Sequence, residues 1–211
     1  VWLGCVTVKF HKQVKEYSLV WPTQTVSLDK IQTVAPLYRM NRFGHPIEAF
    51  NLEWVGNIKT IEKSLVGQGW KVRSSRIDPL NIVRGYFDSA AIYHLPILPQ
   101  LYQNKPPVLL LTKKTSKDGV VLVLHLWSSN ITLSDVKKPL WIGAVKYYSH
   151  YNKGLSLESF RQKHNFVGAT KTLTTYLNDF GWKEIVYSKT RQPLEMSGLH
   201  WNGKSLVIQS K

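Results

Sequence analysis

Cysteine is almost absent from this chain. One in 211 residues, Cys5, excludes an intramolecular disulfide and a thiolate metal cluster. Acidic residues are scarce as well: 13 Asp and Glu stand against 28 Lys and Arg, a formal net charge of +15. Those acids are scattered singly, so no local carboxylate dyad of the kind a glycoside hydrolase needs is present. No apolar run approaches the roughly 20 residues of a spanning helix; the best are 1–8, 108–112 and 120–127. No basic region precedes the apolar start, so no cleavable signal peptide is read. HExxH, GxSxG and the P-loop are all missing. These absences remove disulfide scaffolds, multi-span membrane proteins and the motif-bearing hydrolases, and they name no reaction.

What is present is the composition of a folded protein. Apolar residues make up 43% of the chain and charged residues only 19%, which argues against disorder. The length suits one large domain or two small ones and needs no disulfide or metal staple.

The chain opens on Val1-Trp2-Leu3-Gly4-Cys5-Val6, with Lys9, Lys12 and Lys15 close behind. This is either an ordinary first strand or the last turns of a membrane span followed by a basic, cytoplasmic flank. Tyr17 to Trp21 reads as a strand stopped by Pro22, and Ser27 as the cap of a short helix. Phe50 to Val55 alternates like a strand, ending at Gly56. Ile58, Ile61 and Leu65 then fall at helical spacing, Gly67 and Gly69 end the helix, and Trp70-Lys71-Val72-Arg73 begins a strand, giving β–α–β over 50–76. The runs 108–112 and 120–127 flank the polar loop Lys113 to Gly119 as a hairpin, and a further strand follows Pro139. Their continuous apolar character predicts strands covered on both faces.

A shift of 112 residues overlays Val167 to Lys183 on Val55 to Lys71 with eight identities in 17 positions, including Gly69/Gly181 and Trp70/Trp182. The reading is an internal duplication, with the second unit over 160–190. Shared local need explains the likeness equally: glycine in the left-handed conformation beyond a helix, then tryptophan anchoring the next strand. The expected fold is therefore α/β, a mixed sheet with two related β–α–β units in a single globule spanning 1–211.

Candidate chemistry is thin. Seven histidines show no zincin spacing, and no metal or cofactor site is read. His125 lies on a strand face with Val123 and Trp127, as a satisfied core or edge histidine or as a ligand contact. An enzyme reading, a hydrolase of phosphate or lipid esters, requires Asp78, Asn81, Arg84 and His125 to converge from separate segments. Glycines at 56 and 168, read as following strands and preceding helices, mark helix N-termini that would suit an anion or serve as tight turns. The bulk charge is the stronger signal. Lys9, Lys12 and Lys15, with Lys113, Lys114 and Lys117, form candidate contacts for an anionic partner, against the plain alternative of a basic surface kept for solubility. Nucleic acid is the less favoured partner, because the aromatics sit within apolar runs and no RNP-like or helix-turn-helix pattern occurs.

The segment Asn51-Leu52-Glu53-Trp54-Val55-Gly56 running through a helix to Gly69-Trp70, Leu98-Pro99-Gln100-Leu101-Tyr102, His125-Leu126-Trp127 and Pro139-Leu140-Trp141-Ile142-Gly143-Ala144 together resemble the LssY C-terminal domain. The resemblance is strongest over 45–150. It implies a bacterial domain attached to inner-membrane proteins with DedA-type or phosphatidic-acid-phosphatase-like membrane segments, and a domain of no established reaction. In that family the strand carries His-His-x-Arg-x-Trp. Here it reads Leu122-Val123-Leu124-His125-Leu126-Trp127, and Lys146-Tyr147-Tyr148 stands where an acidic residue is expected. The resemblance points to a non-catalytic accessory domain on the cytoplasmic face of the inner membrane. Its partners would be an anionic lipid surface, a phosphate-bearing lipid ligand or the membrane domain of the same polypeptide.

Overall fold

The computed structural model describes residues 22–40, 46–73, 100–103, 105–116, 120–150, 160–163, 166–187 and 201–210. In chain order the elements are β1 (Gln24–Val26), a 3-10 turn (Leu28–Lys30), α1 (Ile31–Val34), β2 (Tyr38–Met40), β3 (Pro46–Ala49), β4 (Leu52–Val55), α2 (Ile58–Gly67), β5 (Lys71–Val72), β6 (Leu109–Lys114), β7 (Val120–Leu133), β8 (Lys138–His150), β9 (Phe160–Lys163), α3 (Phe166–Thr174), β10 (Phe180–Val186) and β11 (Lys204–Ser210).

Nine strands form one mixed sheet in the order β10-β11-β4-β8-β7-β6-β5, with β1 beside the end of β7 and β9 beside the end of β8. Only β11–β4 and β1–β7 are parallel. The expected hairpin is β6–β7, and the strand expected after Pro139 begins at Lys138, before the proline, and continues to His150. Two motif segments separated by more than eighty residues become neighbours, since Leu52, Glu53, Trp54 and Val55 pair with Gly143, Ile142, Trp141 and Leu140.

Alternation along the strands builds two buried faces, as the continuous apolar runs predicted. One face carries Leu52, Trp54, Leu122, Leu124, Leu126, Val145, Leu206 and Ile208, covered by Ile61 and Leu65 of α2 and Ala169 and Leu173 of α3. The other lies under the β2–β3 pair, where Phe50 packs on Trp127 and Leu37 on Val207. Just before β4 begins, the Asn51 side chain extends its ladder. Its amide donates to the Val145 carbonyl at 3.0 Å and its carbonyl accepts from the Val145 N–H at 2.9 Å.

Helix α2 follows its sequence signals closely. Asn57 caps it by accepting from the Lys59 N–H at 2.9 Å. Its end is a Schellman motif: Gly69, at φ 82°, donates to Val66, and Trp70 donates to Leu65. Gly69 and the buried Trp70 thus behave as expected.

Their counterparts do not. Gly181 lies inside β10 opposite Gln209, and Trp182 is 51% exposed. Gly168 stands within α3 rather than ahead of it, and Val167, matched to Val55 of β4, is helical. Both segments run helix, Gly-Trp, strand. However, β5 runs parallel in sense to β4, whereas β10 runs opposite to β9. The fold is a single mixed-sheet α/β domain, and the sequence likeness does not extend to equivalent places in it.

Candidate functional site

The sheet face beneath β2–β3 holds charge where a core is expected. Lys146 follows Ile142 and Ala144 on that face of β8 and is 2% exposed. Its ammonium contacts the carboxylate of Glu48 on β3, itself 1% exposed. The Arg39 Nε on β2 donates to the other Glu48 oxygen at 2.6 Å, a pairing set by the Arg39–Glu48 register of the two strands. Arg39 also reaches the Leu101 carbonyl at 3.4 Å. Tyr148, next on the same face of β8, accepts from the Gln100 amide at 3.3 Å, and the Gln100 carbonyl accepts from the Trp127 indole at 3.0 Å.

His125 completes this layer. It is fully buried, pairs across the sheet with Ala144 and Leu110, and stacks on Trp127 at 5.4 Å with the rings 9° apart. Among the described residues neither ring nitrogen has a hydrogen-bond partner. The ring is therefore buried and stacked, and the satisfying partner expected for it is not among the described residues. Burial, then the Arg39 charge, push its pKa down to about 3, so the ring is neutral. The same two causes push Lys146 down to about 7, against the opposing pull of Glu48. Burial brings Arg39 to about 10 and raises the Tyr148 phenol.

A second polar feature lies at the sheet edge. The β5–β6 pairing sets Lys71 opposite Thr112, and the Arg73 N–H continues it to the Leu110 carbonyl at 2.8 Å. A groove of about 190 Å³ opens there, lined by Gly69, Lys71, Arg73, Thr112, Lys113, Lys114 and Val121. Arg73 is held by Nε donating to Thr112 Oγ1 at 3.2 Å, and burial lowers its pKa. Lys113 donates to the Gln68 carbonyl at 2.5 Å and lies 5.0 Å over the Tyr176 ring.

Of the expected hydrolytic group only His125 is described; Asp78, Asn81 and Arg84 lie outside the described residues. Of the expected anion contacts, Lys113 and Lys114 meet in the edge groove, while Lys9, Lys12, Lys15 and Lys117 lie outside the described residues. Sequence reading missed Lys71 and Arg73 as their partners, because only strand pairing brings these residues together. It also missed Arg39, Glu48 and Lys146 as a group. The one available signal was parity, which puts Lys146 in phase with Ile142 and Ala144.

Among the described residues no group of three or more His, Cys, Asp or Glu is placed to hold a metal, and no helix is long and apolar enough to cross a membrane.

The chain matches the model of the LssY C-terminus family over residues 32–165 and belongs to that family. The match takes in the β2–β3 pair, β4, α2 and the β6–β8 strands, hence both polar features. It stops before α3, β10 and β11. No curated protein and no solved structure matches the chain.

Proposed function

We propose that the protein is a non-catalytic accessory domain of a bacterial inner-membrane protein, held by its basic edge groove against the phosphates of an anionic membrane surface or lipid headgroup on the cytoplasmic side. The observation that carries this reading is the clustering of Lys71, Arg73, Lys113 and Lys114 around one groove. A net charge of +15 supplies the long-range attraction, and the groove supplies a place for phosphate oxygens. The experiment is vesicle co-sedimentation with neutral and anionic lipids at low and high salt. Binding confined to anionic vesicles and removed by salt supports the reading, and no binding to either vesicle sinks it. Oligonucleotide that displaces the protein from anionic vesicles at matched salt would favour a nucleic-acid partner instead.

A second reading, a hydrolase of phosphate or lipid esters, has one observation in its favour. His125, Lys146, Arg39 and Tyr148 form a layer of shifted ionisable groups, which is commoner in active sites than elsewhere. Against it stands the near-complete burial of that layer. A phosphate- and carboxyl-ester screen on the wild type and on His125→Ala decides: turnover lost in the variant supports hydrolysis, and no turnover removes it.

A further inference from the structure

Strand β10 ends the sheet, and no described strand lies on its outer edge. Tyr187 donates to the Gly203 carbonyl at 2.8 Å, which sets the phase of the β10–β11 ladder. Gly181, Lys183 and Ile185 turn their main-chain groups toward β11, and Trp182, Glu184 and Val186 turn theirs away. The Leu206 N–H bonded to the Asn51 carbonyl, on the opposite edge of β11, fixes the same phase independently. Among the described residues no group pairs with those outward N–H and C=O groups.

Natural sheets guard such an edge with a bulge, a proline, a short strand or charged side chains. β10 is seven residues of regular register with no bulge and no proline; Gly181 to Glu184 are exposed, and its charges are Lys183 and Glu184. The two most apolar of its outward positions, Trp182 at 51% and Val186 at 62% exposure, stand on one face with Glu184 midway between them. The Glu184 carboxylate is already paired with Lys204 Nζ at 2.6 Å.

We propose that β10 pairs with β10 of a second copy of this chain, antiparallel about a two-fold axis through Glu184. Trp182 then opposes Val186 of the second copy, and Val186 opposes its Trp182, so each exposed apolar side chain covers the other. Glu184 faces Glu184, each neutralised by its own Lys204, and the outward main-chain groups bond reciprocally. The register is selected by the side chains. Moving the axis to Lys183 sets lysine against lysine, and moving it to Trp182 leaves Val186 outside the pairing. An isologous interface of this kind closes on itself and joins two sheets into one.

Sedimentation velocity of the 211-residue chain across a concentration series tests this. The expected result is a reversible monomer–dimer equilibrium. Glu184→Pro removes an outward N–H, together with the exposed Glu184–Lys204 ion pair, and leaves the β11 ladder intact, so it should weaken the dimer by at least about tenfold. Trp182→Lys and Val186→Lys, at exposed positions, should do the same without loss of fold. In a Cys5→Ser background, Glu184→Cys should form an intermolecular disulfide on mild oxidation, since hydrogen-bonded antiparallel partners lie about 5.5 Å apart at Cα. Lys183→Cys should not. A chain that stays monomeric throughout overturns the proposal, and so does a dimer indifferent to the edge variants.

Discussion

The indole Nε1–H of Trp141 donates to the carbonyl of Gly56 at 2.7 Å. Gly56 follows β4 at φ 148°, and its own N–H donates to the Pro139 carbonyl at 3.2 Å. The Asn51–Gly56 and Pro139–Ala144 segments are thus joined by side chain as well as by sheet ladder, and the turn that starts α2 is held from β8. Trp141→Phe keeps the ring but leaves the Gly56 carbonyl without this donor. The expected cost is about 1 kcal/mol, read as a lower urea midpoint at unchanged slope.

Asn51 has the larger stake. Buried at 1% exposure, it satisfies both main-chain groups of Val145 in the gap between β4 and β9. Asn51→Leu leaves a buried N–H and a buried C=O unpaired, at about 1–3 kcal/mol each. Asn51→Asp keeps the acceptor, loses the donor and sets a buried carboxylate against the Val145 carbonyl, so at neutral pH both variants should unfold at lower urea than wild type.

How much of this was legible beforehand follows from how local each signal is. The stop of α2, the β6–β7 hairpin and the two-sided burial of β7 depend on neighbours in sequence, and all were readable. The edge groove was readable only by half: Lys113 and Lys114 stand together in the chain, but Lys71 and Arg73 arrive by strand pairing. Gly181-Trp182 misled because Gly69-Trp70 owes its geometry to a Schellman turn. The same dipeptide without that turn is simply strand.

Glycine 143 has no tolerance for a side chain. A Cβ there would lie 2.3 Å from the His125 carbonyl oxygen and 2.6 Å from Leu126 Cδ2. The first of these is main chain of the adjacent central strand and cannot swing aside. Gly143→Ala should therefore destabilise by about 1–3 kcal/mol or more. A thermal midpoint within a degree of wild type would refute the close β7–β8 approach.

His125 predicts the acid behaviour of the fold. Its pKa is about 3 when folded, against 6.5 for a free imidazole, so between those values the unfolded chain binds the extra proton. Stability contributed by the neutral ring is complete above pH 6.5 and is lost as pH falls, by about 1.4 kcal/mol per pH unit, until about pH 3. His125→Phe fills a similar space and cannot take up that proton. Urea midpoints measured at intervals from neutral to acid pH should fall less steeply in the variant. Equal slopes would mean that His125 titrates normally in the folded protein.

Charge placement, rather than charge total, separates docking at the groove from general basicity. Lys71 and Lys114 line the groove, whereas Lys137 and Lys138 stand at the β7–β8 turn, the far end of β7. Fourteen residues of strand lie between the two ends, about 45 Å at roughly 3.3 Å per residue. That separation is several Debye lengths at physiological salt, so the two pairs act on a bound surface independently. Lys71→Gln/Lys114→Gln and Lys137→Gln/Lys138→Gln lower the net charge equally. With each lysine near an anionic surface worth about 1 kcal/mol, the groove pair should cost about 2 kcal/mol of vesicle affinity, roughly 30-fold. The turn pair should cost severalfold less. If both pairs weaken binding alike, attraction is spread over the whole surface and the groove has no special part in it.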